Sequence, residues 1–294
     1  MTLEKEFKFD IDYKNLEIFS VKNEDNIKFP IVLSSPHSGS VFPKGFEGEG
    51  IALSNKELRT SEDSFVNELI EKASDHGMVS ISMNISRAFI DVNRDKIEID
   101  ESMYFDFPHS TEFLEKKRCR VGLGVIPRVV APRMPIYNGL ISHDDAMQRI
   151  ENVYEPYHKK LKQLIDKVVR KFGYCLLVDC HSMPSKVCRI MEDEKQVDFC
   201  IGNLFNQSCE EKISEKLCES LSNEDHRVEL NRPYSGGFIT HDFCQPRKKI
   251  QSIQIEINRD LYMNEGEYSK KPDFSSLSTH ISNSIIELSQ FLVD

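Results

Sequence analysis

The stretch Phe29 to Gly39, FPIVLSSPHSG, is where the reading of this chain starts. Five strand-forming residues run into Ser34, Ser35 and Pro36, and the turn that follows carries a single histidine, His37. Such a pattern puts the imidazole just past the C-terminal end of a buried strand. Open α/β sheets bind their ligands at that edge. The pattern recurs far downstream in Tyr174 to Pro184, YCLLVDCHSMP, where a second apolar run ends on His181. Two histidines at strand ends point to a metal site.

Outward from these two segments, apolar runs and helical periodicity alternate. Val79 to Met83, Ala88 to Val92, Val197 to Ile201 and Ile250 to Ile257 read as strands. Helical spacing predicts Leu53 to Ala73, one long helix over Asp144 to Phe172, Cys209 to Leu221, and a closing helix over 275–292. In the first of these, Ser61 is the expected N-cap, with Glu62 and Asp63 in the first turn, where carboxylates suit the helix dipole. The expected fold class is α/β, a three-layer sandwich with a mixed, largely parallel central sheet covered by helices. One catalytic domain over 1–294 is expected, with residues 1–28 as an edge hairpin or wrapping arm. Residues 95–142, rich in Gly and Pro, exceed the usual connection length and read as a lid or binding loop.

Composition narrows the function. With 294 residues, 39% of them hydrophobic, the chain fills a sizeable core. A net charge of -10 argues against a nucleic-acid surface and against an anionic membrane. No stretch reaches the roughly 20 apolar residues of a membrane span, and the N-terminus MTLEKEFKFD has no apolar leader, so the default address is the cytoplasm. The eight cysteines include no CxxC pair, and Cys175, Cys180 and Cys200 lie in apolar strands, as reduced core thiols do.

A metal held by two histidines and a carboxylate keeps one position for water or substrate. Residues 38–40 are Ser, Gly and Ser, so the carboxylate comes from elsewhere; Glu62 and Asp63 are the nearest candidates. Asp179 shares a strand face with His181 and is placed either to fix its tautomer or to pair with an arginine. In Ile250 to Asn258, Gln254, Glu256 and Asn258 share one parity and three isoleucines the other. Either this is a half-exposed edge strand, or Glu256 is a buried carboxylate and a candidate general base. Arg87, Arg94, Arg128 and Arg133 lead toward the same sheet edge, and a guanidinium binds a substrate carboxylate through two hydrogen bonds.

Eight motifs then fall in order: PHSG at His37, EDSFVNEL around Asp63, SRAFIDVNRD from Ser86 to Asp95, GLGVIP, YEPYH ending at His158, VDCHSMP around His181, PYSGGFIT, and IQIEINRDLYM around Glu256. Together, from about Ile31 to Met263, they resemble the N-formylglutamate amidohydrolase family. The resemblance implies a fold similar to the zinc carboxypeptidases and the aspartoacylase group. It implies hydrolysis of N-formyl-L-glutamate to formate and glutamate, a step of histidine degradation, with one divalent metal, zinc by preference. Carried over by residue, His37, Asp63 and His181 are the metal ligands and Glu256 the general base. Asn93 and Arg94 hold a substrate carboxylate; Arg87 or Arg133 holds the other or stabilises the oxyanion, and Gly237 of PYSGGFIT contacts substrate. One position departs from the carboxypeptidase pattern: the metal Glu three residues after the first histidine is Ser40 here. That leaves Asp63 and its neighbour Glu62 as competitors. The implied partner is a small N-acyl dicarboxylic amino acid. Other deacylases, carboxypeptidases and a metal-binding homologue without turnover share the scaffold.

Overall fold

Short runs of Val, Ile, Leu and Cys line up into one sheet of seven strands in the computed structural model, which describes residues 5–108, 117–189 and 196–293. The strands are β1 (Phe19–Lys22), β2 (Ile31–Ser35), β3 (Val79–Met83), β4 (Cys175–Met183), β5 (Phe199–Gly202), β6 (Val228–Leu230) and β7 (Ile250–Asn258). Their order across the sheet is β6, β5, β7, β4, β2, β3, β1. β2 is parallel to β3 and β4, β4 to β7, and β5 to β6; β7 meets β5 antiparallel. The sheet is therefore mixed and mostly parallel, as the unbroken apolar runs required.

Register decides what each face carries. Ile31 pairs with Leu176, Leu33 with Val178, and Ile255 with Cys180. These side chains share one face and join Val66, Leu69, Ile213, Leu217, Ile281 and Ile285 in a single buried cluster. Those partners come from the helices Val66–Leu69, Glu211–Leu221 and Phe274–Phe291. On the other face, Ser34 aligns with Asp179, Asp179 with Gln254, and His181 with Glu256. The short helix Phe238–Asp242 packs there against β4 and β7. One face of the sheet supplies stability and the other supplies polar groups.

The chain divides into two compact units built from interleaved segments. The first takes Met1–Ser20, Gly39–Glu62 and Met83–Lys160; the second takes Val21–Ser38, Asp63–Ser82 and Leu161–Asp294. In the first, a fully buried Arg149 donates to the carbonyl of Phe89 and to the Tyr137 hydroxyl, within 4.5 to 5.8 Å of the ring centres of Phe9, Phe46, Phe89 and Tyr137. Aromatic faces stabilise such a cation where water is excluded. In the same unit, Gly39 is a glycine because a Cβ there would stand 2.4 Å from the Ile85 carbonyl oxygen.

Several local expectations are corrected. Leu53 to Ala73 is not one helix but Asn55–Leu58, a 3-10 turn Arg59–Ser61, Val66–Leu69 and Glu71–His76. Ser54, not Ser61, is the N-cap, in a capping box with Glu57, and Glu62 and Asp63 lie in the extended break. Ala88 to Val92 forms turns, although Phe89, Ile90 and Val92 are buried; apolarity alone does not tell a strand from a buried turn. The long helix holds its span but passes through a π turn, Ile150–Tyr154, just before Pro156, which has no N–H to give to the helical ladder. Met147 on this helix is 42% exposed. Among the described residues of 1–28 there is no hairpin: Glu6–Phe7 pairs with Leu140–Ile141, and Phe19–Lys22 joins the large sheet. In the 95–142 segment, Val129–Ala131 and Met134–Pro135 make a small antiparallel pair, while 109–116 lies outside the described residues.

Candidate metal centre

His37 follows β2 by two residues, and its carbonyl accepts the backbone N–H of Asp63 at 3.0 Å. That bond pins the start of the next segment to the strand end. Two residues on, Phe65 turns the chain with φ of 66°, a left-handed conformation that a bulky residue adopts only under tertiary constraint. His181 is not beyond its strand, as expected, but inside it; β4 continues to Met183.

These placements bring three donors together. Asp63 Oδ2 lies 3.1 Å from His181 Nδ1 and 3.4 Å from His37 Nδ1, and the two imidazole rings are 4.9 Å apart at 60°. All three side chains are buried, and one ligand atom from each falls within 4.8 Å of the others. On the far side of the ring, His181 Nε2 donates to Asp179 Oδ2 at 2.9 Å, and Ser34 donates to Asp179 Oδ1 at 3.0 Å. In the neutral ring, a proton held on Nε2 leaves Nδ1 as the lone-pair atom on the Asp63 side, where a metal would take the place of the proton that Nδ1 otherwise shares with Asp63. This carboxylate-histidine relay is how a metal-binding imidazole is oriented, so the residues fit a divalent cation. Glu62 is excluded from the set: Arg59 grips both its oxygens at 2.8 Å.

The electrostatics agree. Burial by itself raises the Asp63 carboxyl, but hydrogen bonds from His181 and His37 and the charge of Arg259 outweigh it and hold the group well below the usual carboxylate range. Burial lowers the His181 imidazole; Asp179, by charge and hydrogen bond, and Asp63 reverse this and raise it well above its ordinary value. Two carboxylates thus bracket one ring.

Glu256 stands beside this cluster. It is the register partner of His181 on the adjacent strand, so both side chains leave the same face. The edge-strand reading fails because β7 is flanked by β4 and β5. Glu256 is 8% exposed and accepts from Gln254 Nε2 at 2.8 Å. Cys180, next to His181 in sequence, points into the apolar cluster instead, and burial pushes its thiol well up, which rules it out as a nucleophile.

Sequence reasoning missed two residues here. Arg259 donates from Nη2 to Asp63 Oδ1 at 3.0 Å and from Nε to the Ser182 hydroxyl at 3.0 Å, and Ser182 donates to Asp63 Oδ1 at 2.9 Å. Their signal was present, because Ser182 follows His181 directly and Arg259 follows Glu256 by three positions. Tyr234 of PYSGGFIT also belongs in this neighbourhood: burial raises its hydroxyl, and the charges of Glu256 and Asp63 raise it further. Gly237 is the N-cap of Phe238–Asp242 in the same unit.

Arg87, Asn93 and Arg94 belong to the first unit and organise around Asp91. Arg87 Nη2 donates to Asp91 Oδ2 at 2.6 Å and the Asn93 backbone N–H to Oδ1 at 2.9 Å. Arg94 is buried and donates to the carbonyls of Asn93 at 2.7 Å and Leu123 at 3.1 Å. Burial lowers its guanidinium, with Asp91 opposing. Tyr154 donates to the Arg94 carbonyl and His158 Nε2 meets the Val92 carbonyl, both at 2.8 Å, so YEPYH holds the Asn93-Arg94 segment in place. Arg133 is exposed, at φ of 67° in the turn between Val129–Ala131 and Met134–Pro135.

A mostly parallel α/β sheet with a buried His-Asp-His donor set at its edge, and a carboxylate on the next strand, defines a protein of the class that can hold a metal ion. The chain belongs to the N-formylglutamate amidohydrolase family, whose model matches residues 29–263. It is 27% identical over 245 residues to an N-formylglutamate deformylase of Pseudomonas putida, covering 82% of this chain and 84% of that one. A second N-formylglutamate deformylase, from Pseudomonas aeruginosa, is 25% identical over 266 residues, covering 88% and 92%. The crystal structure of an N-formylglutamate amidohydrolase from Ralstonia eutropha JMP134 superposes with a TM-score of 0.87 at 27% identity, covering 94% of this chain and 98% of that one. Among the described residues no helix is long and apolar enough to cross a membrane.

Proposed function

We propose that this chain hydrolyses N-formyl-L-glutamate to formate and L-glutamate, with a divalent metal, zinc by preference, held by His37, Asp63 and His181. The observation that carries the reading is the orientation of His181: Asp179 holds Nε2, and Nδ1 is turned to Asp63 and His37. His181 also falls with His37 and Asp63 in a buried group whose donor atoms are close enough to share one ion. The names of the relatives supply the substrate. When bound, the metal supplies a Lewis acid for the formyl carbonyl and makes water acidic near neutral pH.

The chain's own residues do the rest. Glu256 takes a proton from the attacking water and returns it to the departing amine nitrogen as the C–N bond breaks, serving as base and then as acid. Asn93 and Arg94 hold one carboxylate of the substrate. Arg87 or Arg133 holds the other or donates to the oxyanion, and Gly237 lies along the substrate. For so small a substrate, these carboxylate contacts supply most of the orientation. The activity is assigned to one catalytic domain over 1–294, in the cytoplasm and in histidine degradation.

Formate release from N-formylglutamate, measured before and after chelation and again with zinc added back, tests the proposal. Turnover that is lost on chelation and restored by zinc supports it. Release that is indifferent to the chelator removes the metal from the mechanism, and turnover confined to another N-acyl amino acid removes the substrate.

A further inference from the structure

Asp63 has two carboxylate oxygens in different surroundings. Oδ2 faces both histidines. Oδ1 accepts from Arg259 Nη2 at 3.0 Å and from Ser182 Oγ at 2.9 Å, and Arg259 Nε donates back to Ser182 Oγ at 3.0 Å. The three side chains close a ring of hydrogen bonds, all buried, with Arg259 only 6% exposed. Arg259 comes from the segment after β7 and Ser182 from β4, so two elements converge on a single oxygen. A lone ion pair does not need a hydroxyl bridging its two partners, but a carboxylate that has to keep one rotation does. A planar guanidinium meets this requirement because its donors are fixed in a fork.

We infer that Arg259, together with Ser182, is a positioning residue that occupies Oδ1 of Asp63, so that this carboxylate offers a metal one oxygen and not two. The inference rests on the metal reading of the cluster and deepens it to selectivity. A one-oxygen aspartate with two imidazoles keeps the protein ligand count at three, which suits small four-coordinate zinc. If Oδ1 were released, the carboxylate could close on a metal with both oxygens, as larger and harder cations prefer. The Arg-Ser clamp then acts against those cations, without touching the ion.

The test uses the full metal-free chain, titrated with zinc and with manganese against a chromophoric chelator, together with the visible spectrum of its cobalt(II) form. In Arg259→Ala zinc affinity should fall by about 10- to 100-fold, the usual effect of losing an outer partner of a metal ligand, and manganese affinity by less, so that the preference for zinc shrinks. The cobalt bands should weaken at the same time, as coordination number rises. Arg259→Lys should recover only part of the preference, since an ammonium has no fork to span both Asp63 and Ser182. Ser182→Ala should shift it in the same direction, by less. Equal losses for both metals with an unchanged cobalt spectrum would overturn the inference, because a merely structural arginine predicts that result. If Arg259→Ala does not fold, an unchanged preference in both Arg259→Lys and Ser182→Ala overturns it. A wild-type chain that binds no zinc overturns the metal reading itself; a wild type that binds it while the variants keep its preference overturns only the role of the clamp.

Discussion

Glu256 and His181 are register partners on adjacent parallel strands, with side chains on the same face of the sheet. Neighbouring strands stand about 4.8 Å apart, so a carboxylate in that position is carried beside the histidine by the backbone itself. A loop residue would need further support to stay there. The pairing makes Glu256 the group whose loss should cost chemistry and not assembly.

Glu256→Gln keeps the size of the side chain and a partner for Gln254. Its kcat for formate release should fall by about 10² or more, the scale of general base catalysis, with metal content and melting temperature retained. Steady-state kinetics beside metal analysis check this. Near wild-type turnover would take Glu256 out of the mechanism.

Asp179 acts through His181. Asp179→Asn can no longer fix the proton on Nε2 as a carboxylate does, and zinc affinity should drop by about 10- to 100-fold. Changing His181 itself to Ala should leave no stoichiometric metal. Chelator competition reads the first, elemental analysis the second, and a fully loaded His181→Ala chain would place the site elsewhere.

The two shifted groups set opposite pH windows in the metal-free chain. Asp63 is depressed, so its contribution is present above the ordinary value of 3.8 and is lost as pH falls through its lower folded value. His181 is raised, so its contribution is full below the ordinary value of 6.5 and is lost as pH rises through its higher folded value. Metal binding needs an unprotonated Nδ1 and strengthens in the direction in which the proton's contribution fades. Melting temperature with chelator should therefore decline as pH rises above the ordinary histidine value of 6.5, while the gain on adding zinc grows. A metal-free chain that becomes more stable above that value contradicts the His181 assignment.

Arg94 is assigned to a substrate carboxylate. Arg94→Ala should lower kcat/KM for N-formylglutamate by 10-fold or more, about the worth of a charge-assisted pair, and leave a neutral formyl amide nearly unaffected. Equal losses on both substrates would make it a structural residue of the Asp91 network.

Much of this protein is determined by its local pattern. Unbroken apolar runs made β2 and β4 buried strands, and a period of two put Asp179 with His181 and Glu256 with Gln254, because successive side chains in a strand must alternate; that β7 is buried was decided by its neighbours β4 and β5. The core role of Cys180 follows from the same rule, and the strand-end position of His37 from the turn at Pro36. Only the tertiary structure gives Glu62 and Asp63 different partners. Adjacent carboxylates are equivalent to any local rule, and the difference is made by Arg59 on one side and by His181 and Arg259, 118 and 196 positions from Asp63, on the other. The same distant bonds break the helix expected over Leu53 to Ala73, since satisfying a buried carboxylate outweighs the few tenths of a kcal/mol per residue that helix propensity offers.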